Sequence, residues 1–140
     1  MNNKTTVVNV NKVKTSWHVF DADDQILGRL STEIAKILMG KNKAEFSPNL
    51  DLGDHVVVIN AEKILVTGKK ETDKIYYRHS GYPGALKSEV LGKLRDRRPT
   101  EILRRSIYGM LPKNKLRDVR MNKLHIYAGA EHPHTANIKK

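Results

Sequence analysis

The strongest constraint on the fold is a strand, helix, strand pattern in the first half of the chain. Residues 17–22 fit a short strand, and residues 55–60 fit another whose aliphatic centre is continuous rather than alternating. A strand that is apolar on both faces belongs in the middle of a covered parallel sheet. Between the strands, apolar residues recur in steps of three and four and predict an amphipathic helix ended by Gly40: Leu27, Leu30, Ile34, Ile37 and Leu38.

The second half adds two short extended pieces, residues 75–79 and 124–128, with helical patterns between them. The first helix should stop before Pro99, because the residue before a proline avoids helical geometry; its apolar face is Leu86, Val90, Leu91 and Leu94. The next is closed by Pro112, with the face Leu103, Ile107, Met110 and Leu111. A short third helix surrounds Leu116 and Val119. The pattern predicts an α/β fold, with helices on both faces of a small, mostly parallel sheet and a basic helical insertion.

Length and composition predict one domain. At 140 residues and 39% hydrophobic content, the chain can bury a core of its own. Residues 1–15 are rich in Asn, Lys and Thr and are expected to form an extended N-terminal arm, followed by a single domain over residues 16–140. No apolar run reaches membrane-spanning length and no signal peptide opens the sequence, so we expect a cytoplasmic protein.

The net charge of the chain is +11, and the whole surplus lies in the second half. Residues 1–68 carry 8 basic and 8 acidic side chains, whereas residues 69–140 carry 18 basic and 7 acidic ones. Such a surplus opposes compaction by self-repulsion unless a polyanion neutralises it. Nucleic acid is the commonest polyanion in the cytoplasm, so the charge predicts a nucleic-acid partner. A membrane surface is disfavoured, because no basic helix has a large aromatic apolar face.

Two neighbouring segments suit the binding of RNA. Residues 67–70 read Thr-Gly-Lys-Lys, a turn whose amide groups and two ammonium groups can grip a phosphate. Residues 74–79 then interleave cations with aromatic rings, which can neutralise phosphates and stack on unpaired bases. Because side chains alternate along an extended segment, one of its faces can be core, and only about half of these side chains are expected to touch RNA. Trp17, the sole tryptophan, is expected to anchor the core.

The basic residues at helical spacing in residues 87–123 complete the predicted RNA interface. This segment holds 12 basic and 4 acidic side chains, more than helix-end effects and local ion pairs explain. The predicted contacts are Lys41, Lys43, Lys69, Lys70, Lys74, Tyr76, Arg78, His79, Arg97, Arg98, Arg104, Arg105, Lys113, Lys115, Arg117, Arg120, His132 and His134.

Metal, cofactor and catalytic sites are not predicted. The chain has no cysteine, and His132 and His134, with only Glu131 nearby, make a poor metal site. The common motifs of hydrolases, zinc proteases and dinucleotide-binding enzymes are missing, and Lys63 stands where a phosphate-binding loop would need glycine. An enzyme of nucleotide or RNA metabolism stays open as an alternative, because small parallel sheets often bind nucleotides; it would act through Asp21, Asp54 or His79.

Nine short motifs, taken in order, resemble the family of large-subunit ribosomal protein thirteen in its bacterial form. The resemblance runs from Lys14 to Ile138, and the spacing of the motifs in one register makes it specific. They are Trp17 with Asp21-Ala22, Leu27-Gly28-Arg29-Leu30, Gly40-Lys41, Gly53-Asp54 followed by Val57 to Asn60, Thr67-Gly68-Lys69-Lys70, Tyr82-Pro83-Gly84, Gly109-Met110-Leu111-Pro112, Leu124 with Tyr127, and His132-Pro133-His134.

The resemblance implies a three-layer α/β/α domain that is a structural constituent of the large ribosomal subunit. It further implies binding to large-subunit rRNA, incorporation early in subunit assembly, neighbouring large-subunit proteins as partners, and no catalytic role. We therefore expect the chain in the cytoplasm, within the ribosome. A regulatory protein that binds its own messenger RNA is the remaining alternative.

Overall fold

The computed structural model describes residues 8–9 and 13–138. Most of the predicted arm, residues 1–7 and 10–12, lies outside the described residues, as do residues 139–140. The strands are β1 (Trp17–Asp21), β2 (His55–Ile59), β3 (Ile75–His79), β4 (Leu86–Val90) and β5 (Leu124–Ile126). The helices are α1 (Leu27–Met39), α2 (Lys70–Asp73), α3 (Leu91–Arg97), α4 (Pro99–Met110) and α5 (Leu116–Met121), with 3-10 turns at Ala61–Lys63 and Pro133–Asn137.

Three strands form a parallel sheet in the order β1, β2, β5. In its register, Val57 of β2 lies opposite Val19 of β1 on one side and His125 of β5 on the other. Val56, Val57 and Val58 are all 0% exposed, so both faces of β2 are covered. The prediction of a central parallel strand that is apolar on both faces is confirmed.

The main hydrophobic core lies on one face of this sheet. Leu30, Ile34 and Leu38 of α1 pack there with Val56 and Val58 of β2. The helices α3 and α4 complete the core with Leu91, Leu94, Ile102, Leu103 and Ile107. The fold is therefore mixed α/β, with a small, mostly parallel sheet and several helices, as predicted.

Two glycines let the chain turn from α1 back into the sheet. Gly40 ends α1 in the left-handed conformation, with φ 77°, and its amide donates a hydrogen bond to the Ile37 carbonyl. A Cβ at Gly53 would lie 1.9 Å from the carbonyl oxygen of Leu38, so only glycine fits this close approach. The predicted role of Gly40 as a left-handed cap is confirmed.

The predicted helix with the apolar face Leu86, Val90, Leu91 and Leu94 is wrong over residues 86–90. Leu86–Val90 is the strand β4, which pairs antiparallel with β3 after a turn in which Gly81 and Gly84 have φ 89° and 76°. Residues four apart share a face in a strand as well as in a helix, so the apolar spacing did not separate the two structures. Only α3 is helical. The predicted extended piece at residues 75–79 exists, but it pairs with β4 rather than with the parallel sheet.

The remaining predicted elements are confirmed with small changes of boundary. The helix before Pro99 ends at Arg97, the next helix ends at Met110 ahead of Pro112, and α5 covers the third basic segment. The late strand is shorter than predicted, because β5 ends at Ile126. None of the helices in the described residues is long and apolar enough to cross a membrane.

A group of aromatic rings lies on the second face of the sheet. The ring centroid of Trp17 lies 4.3 Å from that of His55, 5.5 Å from that of His125 and 5.1 Å from that of His134. His134 belongs to the 3-10 turn near the C-terminus, so its ring contacts with Trp17 and His125 attach that turn to the sheet. Trp17 is half-buried and anchors this ring cluster, whereas the main core lies on the opposite face.

The ring cluster favours neutral imidazoles. Burial lowers the pKa of His55 below its ordinary value of 6.5, and the Lys123 ammonium adds to the effect against the pull of nearby carboxylates. Burial likewise lowers the pKa of His125 below 6.5, with His134 and His55 adding to the effect. The unfolded chain therefore takes up protons more readily than the folded chain as the pH falls below this value.

We expect the free energy of unfolding to be insensitive to these histidines above pH 6.5 and to fall as the pH drops below it. Asp21 and Asp54 stay ionised over the first part of this range, because their pKa values lie below 3.8. Urea unfolding followed by Trp17 fluorescence measures the effect. His125→Phe, which keeps a ring and removes a titrating group, should lose less stability on acidification. Equal losses in His125→Phe and in the unchanged chain would contradict this account.

Candidate nucleic-acid interface

The predicted rRNA contacts divide into two groups by their surroundings. One group is exposed and has no carboxylate partner within 4.0 Å among the described residues. Charges in this group are left for an external anion to neutralise. The group, called the free cations below, is Lys41, Lys69, Lys70, Lys74, Arg78, Arg98, Arg104, Lys113 and Lys115.

The other group is held by contacts within the protein. Lys43 Nζ lies 2.6 Å from the Asp54 carboxylate, Arg97 Nη2 lies 2.7 Å from Glu89, and Arg105 Nε lies 3.0 Å from Glu101. The guanidinium of Arg117 lies 4.4 Å from the centre of the Tyr108 ring and donates hydrogen bonds to the carbonyls of Leu111 and Pro112. These cations hold the elements in place, and their role toward RNA stays a prediction.

Arg120 is the most buried of the predicted contacts. Its side chain is 1% exposed, and Nη2 donates hydrogen bonds to the carbonyl oxygens of Leu50 at 3.2 Å and Pro48 at 3.5 Å. It thereby joins α5 to the loop that precedes β2. An arginine in this position stabilises the fold, and a contact of Arg120 with RNA stays a prediction.

One cluster of free cations forms where the turn at residues 67–70 meets α1 and α4. Lys70 and Lys74 line a cavity of about 180 Å³ together with the hydroxyl-bearing Thr67 and Ser106, beside the first residues of α1. Gly68 has φ 67°, which places the turn in a conformation that favours glycine. The other lining residues are mainly apolar, among them Ile26, Leu91 and Met110, and Lys70 and Lys74 supply the cations of this cavity.

The β3–β4 hairpin places Lys87, which was not among the predicted contacts, beside Arg78, which was. In the register of β3 and β4, Lys87 lies directly opposite Arg78, and both are exposed. Lys93 is exposed as well, and within the described residues neither Lys87 nor Lys93 has a carboxylate partner. Knowledge of the strand pairing would have placed Lys87 beside Arg78, but a helix was predicted for this segment.

A third group lies where the end of α1 approaches the loop that follows α4. Lys41, Asn114 and the buried Arg120 line a cavity of about 300 Å³ whose other walls are mainly apolar, among them Phe46 and Pro112. Lys113 and Lys115 flank Asn114 in the same loop. The structure thus brings Lys41, predicted from the first half of the chain, to cations predicted from the second half.

The predicted aromatic and imidazole contacts have different surroundings. Tyr76 is half-buried, with Arg105 and Lys74 lying 5.0 Å and 5.3 Å from the centre of its ring. His79 is exposed, and its Nδ1 accepts a hydrogen bond from the Gly81 amide. His134 packs within the ring cluster, and the described residues contain no group of three or more His, Cys, Asp or Glu side chains arranged for a metal ion.

The carboxylates that an enzyme could use are engaged in the fold. Burial would raise the pKa of Asp54, but hydrogen bonds from Lys43 and the Ser16 amide, and contact with His18, outweigh it and lower the pKa. Asp21 accepts hydrogen bonds from the Asn60 side chain and the Asp23 amide, which lower its pKa too. Both are ionised acceptors that tie strand ends together.

The model of the family described as Ribosomal protein L13 matches residues 15–133 of the chain. The chain belongs to the ribosomal protein L13 family. A large ribosomal subunit protein uL13 of Macrococcus caseolyticus is 53% identical over 133 residues, covering 95% of this chain and 92% of its own. The proteins of the same name from Pelobacter propionicus and Methylococcus capsulatus are 52% and 56% identical, covering 98% and 92% of this chain and 96% and 91% of their own.

Membership of the L13 family confirms the resemblance seen in the nine motifs. Proteins of this family are structural and are not enzymes. Membership of this family therefore counts against the enzyme alternative. The matched residues include all five strands and all five helices, so the clusters of free cations lie on the part of the chain that defines the family.

The burial of Arg120 leads to a prediction about stability. Arg120→Ala should lower the free energy of unfolding by about 2 kcal/mol or more, because it leaves a cavity and two carbonyl oxygens without their donor. Arg104→Ala, at an exposed position without an ion pair, should change it by about 0.5 kcal/mol or less. Urea unfolding of the two variants measures the difference. Similar values for both would show that the Arg120 contacts do not hold the fold.

Proposed function

We propose that the chain is a structural component of the large ribosomal subunit that binds large-subunit rRNA. The observation that carries this proposal is the group of free cations, whose charge has no counterpart among the carboxylates of the described residues. Relatives that cover nearly the whole chain are named large ribosomal subunit proteins, which supports the assignment to that particle. Binding is through phosphates and RNA shape, and no catalytic step is involved.

In this proposal the free cations contact phosphates directly, together with Lys87 and Lys93. Exposed ammonium and guanidinium groups suit this role because each one that neutralises a phosphate releases a bound counterion. Tyr76, His79, His132 and His134 stay in the proposed interface as candidates for contacts to bases and sugars. The paired or buried cations stabilise the elements that carry the free cations. They are Lys43, Arg97, Arg105, Arg117 and Arg120.

The proposal extends to the place of the protein in the particle. We infer that it joins early in assembly, contacts neighbouring large-subunit proteins and resides in the cytoplasm as part of the ribosome. A regulatory contact with messenger RNA is a separate alternative that needs the protein to be free of the ribosome.

The finer description of the fold is also part of the proposal. A three-layer arrangement is supported on one side of the sheet by α1 and α4, and on the other by the C-terminal turn that packs on the ring cluster. The basic insertion corresponds to the consecutive helices α3, α4 and α5 between β4 and β5. Residues 16–140 would form one domain, preceded by the arm.

Salt dependence tests whether the free cations bind phosphate. Lys69→Gln with Lys70→Gln should weaken binding to a large-subunit rRNA fragment and reduce the slope of log K against log salt by about 0.7 to 0.9 for each phosphate that the variant no longer neutralises. The matched control is Lys63→Gln, since Lys63 is exposed but already lies 3.1 Å from the Asp23 carboxylate. Binding titrations over a salt series measure both slopes. An unchanged slope in the double variant would contradict phosphate binding at this turn.

Sedimentation tests the assignment to the particle. We expect the tagged full-length chain to migrate almost wholly with the large subunit in a sucrose gradient of cell lysate, and to be present in early precursor particles. A chain that stays at the top of the gradient, bound to a message or free, would contradict the proposal and favour the regulatory alternative. A chain found in the mature subunit but missing from early precursors would overturn only the early timing.

A further inference from the structure

The two faces of the β3–β4 hairpin differ in their charge. Because directly opposed residues share a face, Tyr76 and Arg78 of β3 lie on the same side as Glu89 and Lys87 of β4. This side is called the Arg78 face. The opposite side, the Tyr77 face, has no Lys, Arg, Asp or Glu and consists of Ile75, Tyr77, His79, Leu86, Ser88 and Val90.

The Arg78 face is joined to the rest of the protein. Tyr76 packs against the main core, and the Arg105 guanidinium lies 5.0 Å from the centre of its ring. Glu89 accepts a hydrogen bond from Arg97 at 2.7 Å. This face is thus both the inner surface of the hairpin near its base and the place where its cations, Arg78 and Lys87, are displayed.

The Tyr77 face is open. Tyr77 is 64% exposed, Leu86 is 61% exposed and Ile75 is 42% exposed, although all three are large apolar or aromatic residues. A two-stranded hairpin gains little stability of its own, so a face of this kind is costly to leave in water. Adjacent exposed apolar side chains typically mark a surface that another macromolecule covers.

Charge indicates what covers the face. Attraction to the RNA backbone comes from lysine and arginine, and this face has neither, although the chain contains 26 of them. The centres of protein interfaces, in contrast, are depleted in charged residues and enriched in tyrosine. We propose that Ile75, Tyr77 and Leu86 of the Tyr77 face dock an apolar surface of a neighbouring protein in the large subunit, while the Arg78 face, together with His79 at the turn end of β3, meets rRNA. The inference rests on the proposed function, since it names a second partner within the same particle.

Site-specific crosslinking in intact particles tests this inference. A benzophenone amino acid is placed at position 77 or at position 78 of the full-length chain, and purified large subunits are irradiated. Nuclease and protease digestion then tells RNA adducts from protein adducts, and mass spectrometry identifies the latter. We expect position 77 to give an adduct with another large-subunit protein and position 78 to give an adduct with rRNA.

Three results at position 77 would overturn the inference: an adduct with rRNA alone, an adduct with a second copy of the chain, or no adduct while position 78 reacts with rRNA. Failure of the proposed function is distinguishable, because the chain would then be missing from the particles or position 78 would not react with rRNA.

A binding measurement without other proteins separates docking from base stacking. Tyr77→Ser should leave the affinity for a large-subunit rRNA fragment within about twofold, because the residue meets a protein in this account. Arg78→Gln, its neighbour on the opposite face, should weaken that affinity and reduce the salt slope. Thermal unfolding confirms that both variants fold, as expected for exposed positions. A tenfold loss in Tyr77→Ser would identify a stacked base and contradict the inference.

Discussion

The burial of β2 on both of its faces is the constraint on which the rest of the structure depends. Val56 and Val58 point into the main core, while Val57 faces the side occupied by the ring cluster. Parallel strands pair with both edges of β2, so the strand has no free edge. A strand in this position needs side chains packed on both faces and a paired strand at each edge. The chain supplies these from segments that are far apart in sequence.

Polar groups fix the two ends of this strand. Asp54, directly before β2 and 2% exposed, accepts a hydrogen bond from the Ser16 amide and pairs with Lys43. Asn60, directly after β2, adopts a positive φ of 55° and its side chain donates a hydrogen bond to Asp21. Two carboxylates of the neutral first half, Asp21 and Asp54, thereby hold the strand ends together. Most of the lysines and arginines of the second half are left on the surface, where an external polyanion can neutralise them.

Much of this architecture was predictable from the sequence because local patterns determine it. The steps of three and four in α1 indicate a helix, and the shortness and β-branched content of the valine run in β2 favour a buried strand. The residues 86–90 were misassigned because their spacing suits a strand and a helix equally, and the pairing that decides between them depends on β3. Local patterns do not carry that information.

The distribution of charge was predictable from composition, but the surroundings of individual cations were not. The sequence shows that the surplus of cations lies in the second half, yet it could not tell the buried Arg120 from the exposed Arg104. The difference arises from the carbonyl oxygens of Pro48 and Leu50, 72 and 70 residues away along the chain. The surroundings of Lys43 are likewise set by Asp54, and those of His134 by the ring of Trp17. Contacts between distant segments decide which cations remain available, and only the folded chain shows them.

The most direct test of this account is the free energy of unfolding measured over a salt series, with and without a large-subunit rRNA fragment. The free chain should become more stable as salt screens its own repulsion, and the extra stability given by RNA should decline over the same range, so that the two curves converge. Stabilisation by RNA that does not change with salt would contradict the claim that unneutralised cations on a self-sufficient fold bind the RNA.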